Sequence, residues 1–186
     1  AGSKVMDEGT AQVHPAEITQ KMLDAAIANG ASYQVGTVEG VRRDGDKVTA
    51  VIVDGKDVPC KAVVFAMGPW SVLVEKWVPE ARVPMEGILS TSLLFRRPAP
   101  VEPPCALFCA EDEHGCHLEV NPRNDGTVYV CGCGGSDYLK EAEIAALAPE
   151  SVKPNPARVE AATAALRSKT SVVDGLEPEA SACMRP

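Results

Sequence analysis

The amino-acid sequence predicts a mixed α/β (α+β) fold built from two parts, and three observations predict it. A capped amphipathic helix occupies residues 15–30. Strand-like segments separated by Asp-Gly turns follow it. Beyond Trp77 the chain becomes rich in proline, with short strand-like runs and then two helical stretches.

In the first helix Pro15 suits the opening position, Glu17 favours the positive N-terminal end, and Gly30 can cap the C-terminus. Ile18, Met22, Ala25, Ala26 and Asn29 recur at helical spacing, with Leu23 and Ile27 widening the apolar stripe over roughly four turns. Residues 32–43 and 47–53 read as strands; in the second, Val48, Ala50 and Ile52 alternate with Thr49, Val51 and Val53. Turn signals at Asp44-Gly45-Asp46 and Asp54-Gly55-Lys56 make the region a three-stranded meander. Residues 62–67 form a continuous apolar run ending at Gly68, the pattern of a strand buried on both faces within a parallel sheet. Further strands are expected over 88–96, 107–110, 117–120 and 127–132, with a turn at 121–126. Helices are expected over 140–148 and 156–169, the second with Asn155 as N-cap and Pro156 in its first position, and 149–154 as the loop between them.

Composition narrows the function classes. The 186 residues, 45% hydrophobic and 24% charged, suit one soluble domain or parts of two. A net charge of -8 and a pI near 4.9 disfavour nucleic acid and anionic membrane as partners. No apolar run approaches the roughly 18–20 residues that span a bilayer, and the first residues lack a signal-peptide core. Seven cysteines, an odd number with no C-x-x-C pair, read as scattered reduced thiols of a cytoplasmic protein. A zinc site could draw only on Cys105, Cys109, Cys116, His114 and His117, whose spacings do not repeat as paired knuckles, so no metal is expected.

Catalytic motifs are sparse: there is no G-x-S-x-G, H-E-x-x-H or phosphate loop ending in Gly-Lys-Ser/Thr. Gly132-Cys133-Gly134-Gly135 lacks dinucleotide-loop spacing and reads as a glycine-rich turn after a strand. The segment Val63-Val64-Phe65-Ala66-Met67-Gly68-Pro69-Trp70-Ser71 stands out, because a strand ending in glycine lets backbone approach a ligand closely. The same residues also read as a plain turn at Gly68-Pro69 with Trp70 in the core.

The order His14-Pro15, helix, Gly30-Ala31, Gly36-Thr37-Val38, meander, Ala66-Met67-Gly68-Pro69-Trp70-Ser71 resembles the D-amino-acid oxidase superfamily of FAD enzymes, which includes glycine oxidase and sarcosine oxidase. The resemblance covers residues 9–73. From Glu119-Val120-Asn121-Pro122-Arg123 through Asp125-Gly126-Thr127-Val128-Tyr129-Val130-Cys131-Gly132 the chain resembles a less characterised, eukaryotic-type branch of the same superfamily. The implied fold is part of an FAD/NAD(P)-binding domain joined to an antiparallel substrate-domain sheet with helices. The implied boundaries are 1–13 for a substrate-domain strand, 14–73 for a partial FAD-binding domain, 74–179 for a substrate-binding domain and 180–186 for a return to the FAD-binding domain. On this resemblance the chain is an interior fragment, with the glycine fingerprint upstream and a flavin-facing segment downstream, and by itself would not hold FAD tightly.

The resemblance also assigns residues. Val38 matches the position whose backbone meets the adenine of FAD; otherwise it is a core strand valine. Ala66, Gly68 and Trp70 match the loop beside the dinucleotide. Cys183, in Cys183-Met184-Arg185-Pro186, stands where sarcosine oxidase relatives attach flavin covalently; otherwise it is a buried thiol. Arg123 can offer its planar fork to a substrate carboxylate or be a solvated turn arginine, and Arg96-Arg97 likewise. His14 reads as an N-cap rather than a substrate contact. The implied activity is oxidation of a C–N bond of an amine or amino acid by hydride transfer to flavin. Two alternatives stand beside it, a flavin dehydrogenase of a hydroxy acid and a flavoprotein-like scaffold for binding or trafficking. The sequence singles out no catalytic residue.

Overall fold

The computed structural model describes Lys4, Val5, Asp7, Gly9, residues 12–135 and residues 137–186. The strand expected over residues 1–13 lies largely outside them. Helix α1 (Pro15–Ala28) begins where its caps place it, with His14 Nδ1 accepting from the Glu17 amide at 3.4 Å. It ends in a Schellman arrangement: Gly30 adopts φ +94°, its amide donates to Ile27 O at 3.0 Å, and the Ala31 amide donates to Ala26 O at 3.0 Å. The apolar stripe, however, is uncovered. No residue of α1 is buried, and Met22 is 68% exposed. Local signals thus form this helix without a tertiary partner among the described residues.

The meander is present as β1 (Val38–Asp44), β2 (Lys47–Val53) and β3 (Lys56–Pro59), antiparallel throughout. Its first strand starts at Val38 rather than at residue 32, because residues 31–37 find no strand to pair with. Residues 62–67 are a clear correction. They take no strand pairing and Val64 is 88% exposed, so the expected doubly buried strand is not formed. The physical reason is the missing neighbour: every strand pair among the described residues is antiparallel, and none flanks this run. A 3₁₀ turn (Gly68–Leu73) and the short helix α2 (Val74–Trp77) follow, neither of which the sequence reading anticipated.

The larger sheet has six strands. They are β4 (Gly87–Arg96), β5 (Leu107–Phe108), β6 (Glu119–Pro122), β7 (Thr127–Cys131), β8 (Asp137–Leu139) and β9 (Glu179–Arg185). Strand β4 is its hub. On one edge it pairs with β8 over residues 87–89 and with β7 over 93–96; on the other it pairs with β9 over 88–94. Residues 180–186, expected to return to a flavin-binding part, therefore include most of a strand hydrogen-bonded to the centre of this sheet.

Helices α3 (Glu141–Ala146) and α4 (Pro156–Lys169) complete the fold. Asn155 caps α4 by accepting from the Ala157 amide at 3.1 Å, as its sequence requires. Side chains alternate across a strand, which sorts the sheet into two faces. Leu93, Phe95, Val120, Val128 and Val130 face inward and pack on Ala162, Ala165 and Leu166 of α4. A second cluster joins Val72, Ile144 and Met184 with Trp70, Leu89 and Leu147. It ties the 3₁₀ turn and α3 to the start of β4 and the end of β9.

Candidate functional site

The other face of the large sheet carries the candidate site, a polar patch flanked by Ile88, Leu94 and Phe108. Its members sit at alternate positions: Glu119 and Asn121 on β6, Tyr129 and Cys131 on β7, Ser90 and Ser92 on β4, Ser181, Cys183 and Arg185 on β9. Register aligns Glu119 with Cys131, Asn121 with Tyr129, and Ser90 with Cys183. A cavity of about 170 Å³ opens here, walled by Ser90, Ser92, Glu119, Tyr129, Cys131, Cys183 and Arg185 and closed at one end by residues 132–135.

Hydrogen bonds fix several of these groups. The Tyr129 and Ser92 hydroxyls are 2.9 Å apart, and Arg185 Nη2 donates to Ser90 Oγ at 2.8 Å. The Cys131 thiol donates to Glu119 Oε2 at 3.5 Å. Burial, then the Glu119 charge and hydrogen bond, push that thiol up to about 11, against a smaller opposing effect of Arg185. Burial likewise raises Tyr129, with the Ser92 hydrogen bond acting the other way. At neutral pH these groups are therefore a protonated thiol and phenol.

The glycine-rich turn positions this wall. Gly132 has φ +70°, and a Cβ built there would stand 2.3 Å from the His117 carbonyl oxygen. Only glycine lets the chain leave β7 there while the His117 amide donates to Gly132 O at 3.1 Å. The turn is thus a packing device and not a phosphate loop.

The residues singled out in the sequence fall in three places. Cys183 lines the cavity and is exposed, which removes the buried-thiol alternative; the period-two alternation points Met184 inward and Cys183 outward. Arg123 sits beyond the cavity, with its Cζ 5.1 Å from the centroid of the Tyr129 ring and its Nε buried without a partner. It borders a separate space of about 700 Å³ between the start of α1 and the turn after β6. The alternative of a merely solvated turn arginine does not hold, since one face is stacked and its Nε is enclosed. Arg96 is bound to Glu179 by contacts of 2.6 and 2.9 Å on the sheet edge.

Val38, Ala66, Gly68 and Trp70 lie apart from the cavity. Val38 opens β1 and is 41% exposed, which removes the core-valine alternative. The preceding Gly36 is pressed against Val53 and Asp54, and the Thr37 amide donates to Asp54 Oδ1 at 2.9 Å. Ala66 is exposed, and Gly68, at φ +54°, has open space where a side chain would stand. Trp70 turns its side chain into the second core cluster and donates Nε1–H to Leu147 O at 2.8 Å. Val38, Ala66 and Gly68 are exposed, and Trp70 anchors the loop that carries the last two.

Sequence reasoning missed Glu119, Tyr129 and Arg185 as a set. The signal was present in the period-two alternation of β6, β7 and β9, but only the register shows that these faces coincide. No group of three or more His, Cys, Asp or Glu side chains suited to a metal occurs among the described residues. No helix among them is long and apolar enough to cross a membrane.

A three-stranded meander beside a six-stranded antiparallel sheet is a fold shared with several solved oxidases and dehydrogenases. Among solved structures, L-proline dehydrogenase from P. horikoshii matches 91% of this chain at TM-score 0.66 and 14% identity. Glycine oxidase from Bacillus cereus ATCC 14579 matches 91% at TM-score 0.62 and 21% identity. NikD, described as an unusual amino acid oxidase essential for nikkomycin biosynthesis, matches 89% at TM-score 0.70 and 19% identity. The chain spans 43%, 43% and 42% of those three proteins, respectively. At these identities the likeness is one of fold. The chain belongs to the DAO family of FAD dependent oxidoreductases, whose model matches residues 2–186.

Proposed function

We propose that the protein oxidises the C–N bond of a small amine or amino acid, and that the cavity on the polar face of the large sheet receives the substrate. The observation that carries this reading is the position of Arg185, whose guanidinium borders the cavity and uses one nitrogen on Ser90. Its remaining donors, with the Tyr129 and Ser92 hydroxyls, form a set suited to a carboxylate. The volume of about 170 Å³ suits a small substrate. Relatives of the same fold whose names specify glycine, proline or amino acids support the choice.

In this reading the flavin, when bound, accepts the hydride, and the chain binds and orients what reacts. Backbone groups of Val38, Ala66 and Gly68 would hold the nucleotide, Trp70 would fix the loop of the last two, and Cys183 would offer its thiol from the cavity wall. Arg123 acts at the far end by holding the Tyr129 ring, a stacked cation over a π face. The free thiols support a reducing, cytoplasmic setting.

The test is anaerobic mixing of the full-length flavoprotein with a panel of amines, amino acids and α-hydroxy acids, following bleaching of the flavin. Bleaching by amines or amino acids is the expected result. Reduction by hydroxy acids alone would move the assignment to that class, and a flavin that no compound reduces would favour the binding scaffold.

A further inference from the structure

We infer that Glu119 selects α-amino acids over the matching hydroxy acids, by receiving the substrate's ammonium group across the cavity from Arg185. This rests on the reading of that cavity as the substrate site and specifies the substrate class within it.

The inference comes from charges that face one space without meeting. Glu119 on β6 and Arg185 on β9 both line the cavity, yet neither takes part in an ion pair among the described residues. Both act electrostatically on the same thiol, Cys131, which stands between their strands. The half-buried Glu119 carboxylate receives one hydrogen bond, from that thiol at 3.5 Å. A thiol is a weak donor and satisfies little of a carboxylate's capacity. The carboxylate therefore keeps acceptor capacity for a stronger donor entering the cavity.

A ligand that engages both walls at once carries an anion at one end and a cationic donor at the other. An α-amino acid does so, with its carboxylate toward Arg185 and its ammonium toward Glu119, through charge-assisted hydrogen bonds. A hydroxy acid of the same skeleton satisfies Arg185 but gives Glu119 only a neutral hydroxyl. An ether in that place gives it a lone pair, which repels the carboxylate. The nitrogen is thus read by charge as well as by shape, which is the kind of discrimination that a site built around a polar group achieves best.

The experiment uses the full-length flavoprotein and ligand pairs that keep the carboxylate and replace nitrogen by oxygen. The pairs are N-methylglycine against methoxyacetate, and each enantiomer of alanine against lactate. Affinity for the amino acids comes from saturation of anaerobic flavin reduction, and for the oxygen analogues from the shift of the flavin spectrum. The wild-type protein is expected to bind at least one amino acid tenfold or more tighter than its oxygen partner. The isosteric Glu119→Gln variant is expected to erase that preference while binding the oxygen partner within about twofold of wild type, since its amide still fills the wall. Equal wild-type affinities within every pair would overturn the inference while leaving the reading of the cavity intact. So would a variant that weakens both members of a pair alike, or neither. Should E119Q not retain flavin, the wild-type pairs decide. If no member of any pair binds, the cavity is not a site for small carboxylates, and the underlying reading falls with the inference.

Discussion

Replacing Gly132 with alanine tests how the turn after β7 holds the cavity wall. Three effects add. The left-handed backbone at φ +70° is unfavourable for alanine by about 1–2 kcal/mol. The new Cβ would lie 2.3 Å from the His117 carbonyl oxygen and 3.0 Å from its carbon, so one strand must move to restore contact distance. Overpacking of that kind costs about 1–3 kcal/mol. The same movement breaks the 3.1 Å hydrogen bond from the His117 amide to Gly132 O, worth about 1 kcal/mol. The expected loss for Gly132→Ala is therefore about 3–6 kcal/mol. Gly115→Ala isolates the backbone contribution, because Gly115 has φ +69° and nothing within 4 Å of a built Cβ; its expected loss is about 1–2 kcal/mol. Equilibrium urea unfolding followed by circular dichroism measures both. If the two variants fell within 0.5 kcal/mol of each other, the close approach of β7 to His117 would not be what demands glycine.

Thiol labelling at pH 8 should modify Cys105 and Cys183 first, since both are exposed, and Cys116 and Cys133 last, since both are buried and burial raises both thiols, that of Cys133 to about 12. Mass spectrometry of digested samples gives the order, and early loss of Cys133 would contradict the core packing. Asp112 accepts from Lys169 and from the His114 and Cys116 amides, and the Lys169 contact chiefly holds its carboxyl below its usual value of 3.8. A carboxyl depressed in the folded state contributes stability above its unfolded value, and that contribution fades as pH falls through the folded one. Wild type should therefore lose more stability than Asp112→Asn on acidification below about pH 4, and parallel acid limbs in urea titrations would refute this.

The sequence was most legible where a signal is local. His14-Pro15 with Gly30, and Asn155-Pro156, carry their own hydrogen bonds, so α1 and α4 lie where the caps place them. The Asp-Gly turns set the meander in the same way. Residues 62–67 were misread because an apolar run states only that burial suits it, not that a partner is at hand. The site was less legible still. Cys183 was reached through its place in a family pattern, and Arg123 through its chemistry. Glu119 and Arg185 stand 66 positions apart in the sequence, and only the β6–β7–β4–β9 pairing sets them on one face.

That pairing makes the sheet a ruler. Three inter-strand spacings, about 14 Å in all, separate the backbone of β6 from that of β9. Peptide hydrogen bonds set this span, and no loop length can adjust it. A protein with this sheet can accept a longer or shorter substrate only by changing how far side chains reach from β6 and β9. A diversified library at positions 119 and 185 would explore the specificity that the frame permits, whereas insertions in the surrounding loops would leave the distance between the two poles unaltered.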